Sequence, residues 1–137
     1  MKDVAGILVK YQDRCLLCKR APGEHLEGYW SIPCGGVNPK EDLKDAAVRE
    51  FREETYLVLN PQEVSYVTSI LNSNKKKVIT SILHVFYTRA STIKKPNLEK
   101  AKDGFEHTEC RYFGLSEVDN LKITPKLKEI IKKALAN

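Results

Sequence analysis

The run Arg-Glu-Phe-Arg-Glu-Glu at residues 49 to 54 sets Glu50, Glu53 and Glu54 at i, i+3 and i+4 of a stretch with helical period. Like charges at these spacings repel by about 0.2–0.5 kcal/mol in water. The cost rises as the groups leave water. On a wheel of about 100° per residue, Leu43, Ala47, Val48 and Phe51 share an apolar arc; Glu50 and Glu54 fall at its margin beside Leu43, with Glu53 just outside. Carboxylates at the edge of a buried face call for positive charge between them. On the wheel, Arg49 and Arg52 offset part of the charge from the far side but do not fill the gap. A hard divalent cation such as Mg²⁺, which takes oxygen ligands and shares them with substrate phosphates, answers the need. The plain alternative is a solvated acidic helix end.

The segment in front of this helix, "PCGGVNPKE" at 33 to 41, brings two adjacent glycines. Small residues let backbone groups approach a ligand closely. Taken alone, such a loop is usually a turn. Followed directly by the acidic helix, it offers backbone carbonyls and carboxylates together, as a metal–diphosphate site requires.

The elements that must position these groups follow from the period. Apolar runs at 4–10 and 14–20 flank "YQD" and predict a hairpin that brings Lys19 and Arg20 to one strand end. Residues 21–28 read as a loop, "YWSI" as a short extended piece, and 33–41 as a connection. The helix runs from about Asp42, which caps it, to about Thr55. Two β-rich runs follow, 63–71 and 77–89, then a long polar loop at 90–109 and a last strand at 110–115. "SEVDNL" reads as a turn or a single helical turn. "TPKLKEIIKKALAN" predicts a closing helix with Thr124 as N-cap, Pro125 at its first position, and Leu127, Ile130, Ile131, Ala134 and Leu135 on one face. This order predicts an α/β sandwich, a mixed sheet between helices.

The 137 residues suffice for one domain spanning 1–137, without metal or disulfide staples. A composition of 42% hydrophobic and 30% charged residues is that of a globular chain. No apolar run approaches the roughly 18 residues that span a bilayer, and the N-terminus lacks a secretory pattern, so the chain reads as cytosolic. In that compartment Cys15, Cys18, Cys34 and Cys110 are expected to be thiols. Cys15 and Cys18 have zinc half-site spacing, but three residues apart on a strand they point to opposite faces. The net charge of +5 suits a polyanionic ligand and equally a basic soluble surface.

The segment "GGVNPKEDLKDAAVREFREETYL" (35 to 57) resembles the Nudix box, G-x5-E-x7-R-E-U-x-E-E-x-G-U. Gly35, Glu41, Arg49, Glu50, Phe51, Glu53, Glu54 and Leu57 match it, and Tyr56 stands where the pattern has its second glycine. "LLCKRAPGEHLEGYWSIPCGG" and "EHTECRYFGLSEV" are similar to the family's flanking segments, so the resemblance covers nearly the whole chain. It implies an α/β/α sandwich and attack of water, dependent on Mg²⁺ or Mn²⁺, on the diphosphate of a nucleoside diphosphate linked to another moiety.

Carried over by residue, the resemblance makes Glu50 and Glu54 the principal metal ligands and Glu53 a further ligand or the base. The Cys34 carbonyl would be a backbone ligand, with cysteine in place of the usual glycine. Arg49 would orient the glutamates, supported by Glu41. Gly35 and Gly36 would border the substrate. Glu106, and next Glu109, are candidates for a ligand or base from the loop before the last strand. Arg20 is a candidate phosphate contact, against a surface salt bridge. Trp30 is a candidate for base stacking, against core packing.

About sixteen residues beyond the box, around Leu71, Asn72 and Ser73, neither the ADP-ribose nor the dinucleoside polyphosphate signature of the family is evident, so nucleotide sugars, ADP-ribose-like compounds, nucleoside triphosphates and capped RNA stay open as substrates. The oligomeric state also stays open, a homodimer included. Two other readings stand beside the hydrolase: a catalytically silent nucleotide-binding module and an isoprenoid-diphosphate isomerase. At Tyr56 the family's glycine suits a left-handed residue that ends the helix. Tyrosine there is expected to alter helix-end geometry or stability more than chemistry.

Overall fold

The computed structural model describes residues 1–100 and 107–137. Strands β1 (Lys2–Tyr11) and β2 (Arg14–Arg20) form the first hairpin, followed by the short β3 (Trp30–Ser31) and β4 (Cys34–Gly36). Helix α1 (Leu43–Thr55) leads through a 3-10 turn at Pro61–Glu63 to β5 (Ser65–Ser73) and β6 (Ile79–Ala90). The chain closes with β7 (His107–Gly114), the single-turn α2 (Leu115–Val118) and α3 (Pro125–Ala136).

The sheet runs β3-β2-β1-β6-β5, with β4 also on β1 and β7 also on β2. It is mixed: β1 and β6 are parallel from Lys2↔Ser81 to Tyr11↔Ala90, while the other pairings are antiparallel. On one side β1 forks. Val4, Ala5 and Gly6 pair with β4, whereas Lys10 and Tyr11 pair with β2. Residues 33–41, expected as a plain connection, thus carry a strand that fixes the glycines against β1. Alternation along β1 separates two cores. Ala5, Ile7 and Val9 face α1 with Ala46, Ala47, Phe51 and Phe86. Leu8 lies in the other cluster, with Val85, Leu127, Ile131 and Leu135 of the α3 side. Two layers of helix therefore enclose one sheet, in the predicted α/β arrangement.

Asp42 caps α1, its carboxylate accepting from the Lys44 and Asp45 amides at 3.1 and 3.3 Å. The buried stripe of α1 is Ala46, Ala47, Phe51, Glu54 and Thr55, rotated toward the carboxylates from the expected arc. Thr124 makes no side-chain cap bond to α3. At the other end of that helix, buried Lys10 donates to the carbonyls of Ala134 at 2.9 Å and Asn137 at 2.6 Å, serving the orphan acceptors.

The expectation of four thiols is corrected: Cys18 and Cys110 form a disulfide, and only Cys15 and Cys34 remain as thiols. The two bonded residues sit directly opposite each other on β2 and β7, a juxtaposition created by strand order rather than sequence spacing. No helix among the described residues is long and apolar enough to cross a membrane.

Candidate active site

Gly35 is the floor of the site. It pairs with Ala5 on the face covered by α1, and a Cβ built on it would overlap the carboxylate of Glu50. Its lack of a side chain is what admits that glutamate. The alanines at 46 and 47 bring α1 close to the sheet, so its next turn places Glu50 against β4.

Arg49 gathers the acids around it. Its Nε donates to Glu41 Oε2 at 2.8 Å and one terminal nitrogen to Glu41 Oε1 at 2.9 Å, a bidentate pair. That same nitrogen donates to the Gly36 carbonyl at 2.9 Å. The other terminal nitrogen bridges Glu50 Oε1 at 2.8 Å and Glu53 Oε2 at 3.0 Å. The expectation that no guanidinium reaches between the glutamates is thereby corrected: Arg49 bends across the helix edge and does so. Glu41 in turn accepts from the Asn38 amide at 3.0 Å. The hydrogen bond from Arg49 holds the Glu41 carboxyl below its usual range, and the same bond keeps the Arg49 guanidinium firmly protonated. The acids thus present their charge on a fixed frame.

Glu54 is 1% exposed and lies on the inner side of this edge. Its Oε1 is 3.8 Å from His107 Nε2, at the start of β7. Burial, and then the nearby Arg20 charge, push His107 down to about 4, so it is neutral at ordinary pH. Arg20 stands directly opposite His107 in the β2–β7 ladder and donates through Nε to the His25 carbonyl. The half-buried Cys34 thiol is pushed up to about 12, first by burial and then by the Glu54 charge. It is therefore a protonated spectator, and only its backbone carbonyl has ligand character.

Among the residues expected from sequence, the structure gathers Glu41, Arg49, Glu50, Glu53, Gly35 and Gly36 directly, and links Glu54, Cys34 and Arg20 through burial and charge. Trp30 is elsewhere: it is 6% exposed and stacks edge-on against Phe113 at 4.8 Å in the α3-side core, so it is withdrawn as a base-stacking residue. Glu109 pairs with Arg111 at 3.1 Å. Arg111 in turn lies over the rings of Trp30 and Phe113. Glu106 lies outside the described residues.

His107 is the residue that sequence reasoning passed over. The ladder steps from Lys19↔Glu109 to Arg20↔His107, leaving Thr108 as a bulge that re-aims the strand end. The only signal was a histidine inside "EHTE" at 106–109.

At the end of α1, Tyr56 adopts φ 63° and ψ 22°, the left-handed region that the family's glycine occupies freely. For a side-chain-bearing residue this costs about 1–2 kcal/mol. Its amide donates to the Arg52 carbonyl at 2.8 Å and closes the helix.

A cavity of about 910 Å³ opens on the opposite side of the sheet between β5, β6 and α3. It has Leu8, Val85 and Ile130 among its walls and includes none of the residues above.

The donor set is of hard oxygens, which suits a hard divalent cation. Among the described residues no group of three or more His, Cys, Asp or Glu side chains converges closely enough to hold a metal ion by itself. An ion held at this edge would have to complete its shell with waters and substrate phosphates.

Comparison with known proteins places this geometry. A family model described as NUDIX domain matches residues 1–134. The chain is 23% identical over 126 residues to the uncharacterized Nudix hydrolase YvcI of Bacillus subtilis (strain 168), covering 91% of this chain and 73% of that protein. Its fold is similar to a C. elegans Ap4A hydrolase in a binary complex, with TM-score 0.77, 18% identity, and 99% and 96% of the two chains covered. It is likewise similar to the NUDIX domain of Shewanella oneidensis NrtR complexed with ADP ribose, with TM-score 0.77, 15% identity, and 98% and 86% covered.

Proposed function

This chain belongs to the NUDIX family, in the reaction class of diphosphate hydrolases, and we propose that it cleaves the diphosphate linkage of a nucleoside diphosphate joined to a second moiety. The observation that carries this reading is the framing of Glu50 and Glu53 by one guanidinium, itself clamped by Glu41, above a glycine floor. A purely structural ion pair needs one carboxylate. Here one guanidinium gathers Glu41, Glu50 and Glu53 at the sheet edge, at 2.8, 2.8 and 3.0 Å.

Glu50, Glu53 and Glu54, with the Cys34 carbonyl, would hold Mg²⁺ or Mn²⁺. Bound there, such a cation would supply charge neutralisation at the diphosphate oxygens and a lowered pKa for water. Glu53, at the rim of the cluster, takes the proton of the attacking water. Arg49 keeps Glu50 and Glu53 oriented, and Glu41 keeps Arg49 in place. Gly35 and Gly36 let the diphosphate approach the backbone. Arg20, beside the buried edge of the cluster, meets a phosphate oxygen.

Relatives of similar fold are an Ap4A hydrolase and a domain complexed with ADP ribose, so dinucleoside polyphosphates and ADP-ribose-like compounds head the substrate panel. The test is incubation with these, nucleotide sugars, nucleoside triphosphates and capped RNA, with and without Mg²⁺ or Mn²⁺, with products identified by mass. Metal-dependent cleavage between two phosphorus atoms is expected. Absence of cleavage across the panel overturns the reading and favours a silent nucleotide-binding module.

A further inference from the structure

Tyr56 is not absorbed by the chemistry above. It holds a left-handed backbone, φ 63°, without burying its ring, since the residue is 54% exposed. That backbone is shared with Gln12, Leu26, Lys40 and Lys77, so strain alone does not mark the site; what sets Tyr56 apart is an exposed aromatic ring where the family pattern has glycine. Beside it lies a cavity of about 510 Å³ on the outer side of α1, within the range of small-molecule sites.

The walls of this cavity are chemically distinct. Val48 and Val58 give apolar surface next to the Tyr56 ring, and Val58 is 70% exposed. Arg52 and Lys100 supply cations, and neither makes a salt bridge among the described residues. Lys100 is held nearby by two bonds in series: the Asn97 amide donates to the Thr55 carbonyl at 2.9 Å, and the Lys100 amide to Asn97 Oδ1 at 3.2 Å. The remaining wall includes Arg49 and Glu53, the same pair that faces the carboxylate cluster, with Asp45 also on the lining. The cavity therefore adjoins the cluster through shared residues.

We propose that this cavity is a second nucleotide subsite. Tyr56 stacks on a planar base, the valines contact its edge, and Arg52 with Lys100 take a phosphate carried by that nucleotide. The inference rests on the diphosphate-hydrolase reading and deepens it: the favoured substrate class is one whose scissile diphosphate joins two nucleotides, over one that joins a nucleotide to a neutral sugar. Tyr56, in place of glycine, is then a specificity residue.

The test compares kcat/KM for a dinucleoside polyphosphate and for a nucleotide sugar in wild type, Tyr56→Gly, Tyr56→Phe and the Arg52→Gln/Lys100→Gln pair. Tyr56→Gly relieves the backbone strain, so loss of fold does not confound it. The expected result is at least a tenfold fall in the dinucleotide-to-sugar ratio, carried by KM, in Tyr56→Gly and in the double variant, with Tyr56→Phe restoring the ratio. An unchanged ratio overturns the subsite while leaving the hydrolase reading intact. If wild type cleaves neither compound, calorimetry with AMP decides: binding weakened at least tenfold by Tyr56→Gly upholds the subsite, and binding indifferent to that substitution or undetectable in wild type overturns it.

Discussion

Helices α1 and α3 cover opposite faces of one sheet and are nearly equal in length, 13 and 12 residues, yet they are built for different ends. Helix α3 buries Leu127, Ile131 and Leu135, a four-residue spacing of large aliphatics that does nothing but pack. Helix α1 buries Ala46, Ala47 and Phe51, then continues the same stripe with Glu54. Small residues at its start bring the helix near the sheet, and the acids beyond them meet β4 at a glycine. The difference teaches where chemistry is lodged: on the helix whose apolar stripe is cut short, against the strand that carries two adjacent glycines.

That contrast can be broken by substitution. Glu53→Gln should lower turnover by two to four orders of magnitude, as expected for loss of a general base, about 10²–10⁴-fold. Its melting temperature should stay near that of wild type, which a parallel thermal scan checks; retained turnover would remove Glu53 from the chemistry. Leu127→Ala on the other helix should do the reverse, with a loss of about 2–5 kcal/mol in denaturant unfolding and little change in turnover per folded molecule.

Gly35→Ala sharpens the comparison at the contact between α1 and β4. The added methyl meets Glu50, so turnover should fall by about 10–100-fold, the scale seen when a ligand's support is disturbed. Activity equal to wild type would show that Glu50 does not need its seat against the glycine.

The smallest effect concerns pH. The folded pKa of Glu41 lies below its ordinary value of 4.5, chiefly through the hydrogen bond from Arg49. A carboxyl depressed in the folded state contributes stability above its unfolded pKa and loses it as pH falls through the folded value. Wild type should therefore lose more stability than Glu41→Gln on acidification from about pH 5 downward. Parallel acid-unfolding curves would deny that pairing.

Much of this arrangement was legible because its causes are local. The 3.6-residue period and Asp42 gave the bounds of α1, and the apolar runs either side of "YQD" gave the first hairpin. The carboxylate spacing drew attention to the correct edge. What escaped depends on neighbours remote in sequence. Strand β4 carries "CGG", whose side chains leave no pattern, and it is a strand only because β1 forks beside it. The Cys18–Cys110 disulfide spans 92 residues and exists because β7 lies next to β2. His107 reaches Glu54 through a bulge at Thr108, a local shift that no alternation encodes. Trp30 read as a base platform or, in preference, as a packing residue, and Phe113 placed against it decides for the core.

The central claim is that the α1 acids, rather than the larger cleft beneath α3, carry the hydrolysis. It is tested most directly by product release from the nucleotide panel with Mg²⁺, comparing wild type with Glu54→Gln at matched folded fraction. The account predicts that release in the variant falls by orders of magnitude while the cooperative thermal transition persists. Equal rates in the two proteins would contradict it.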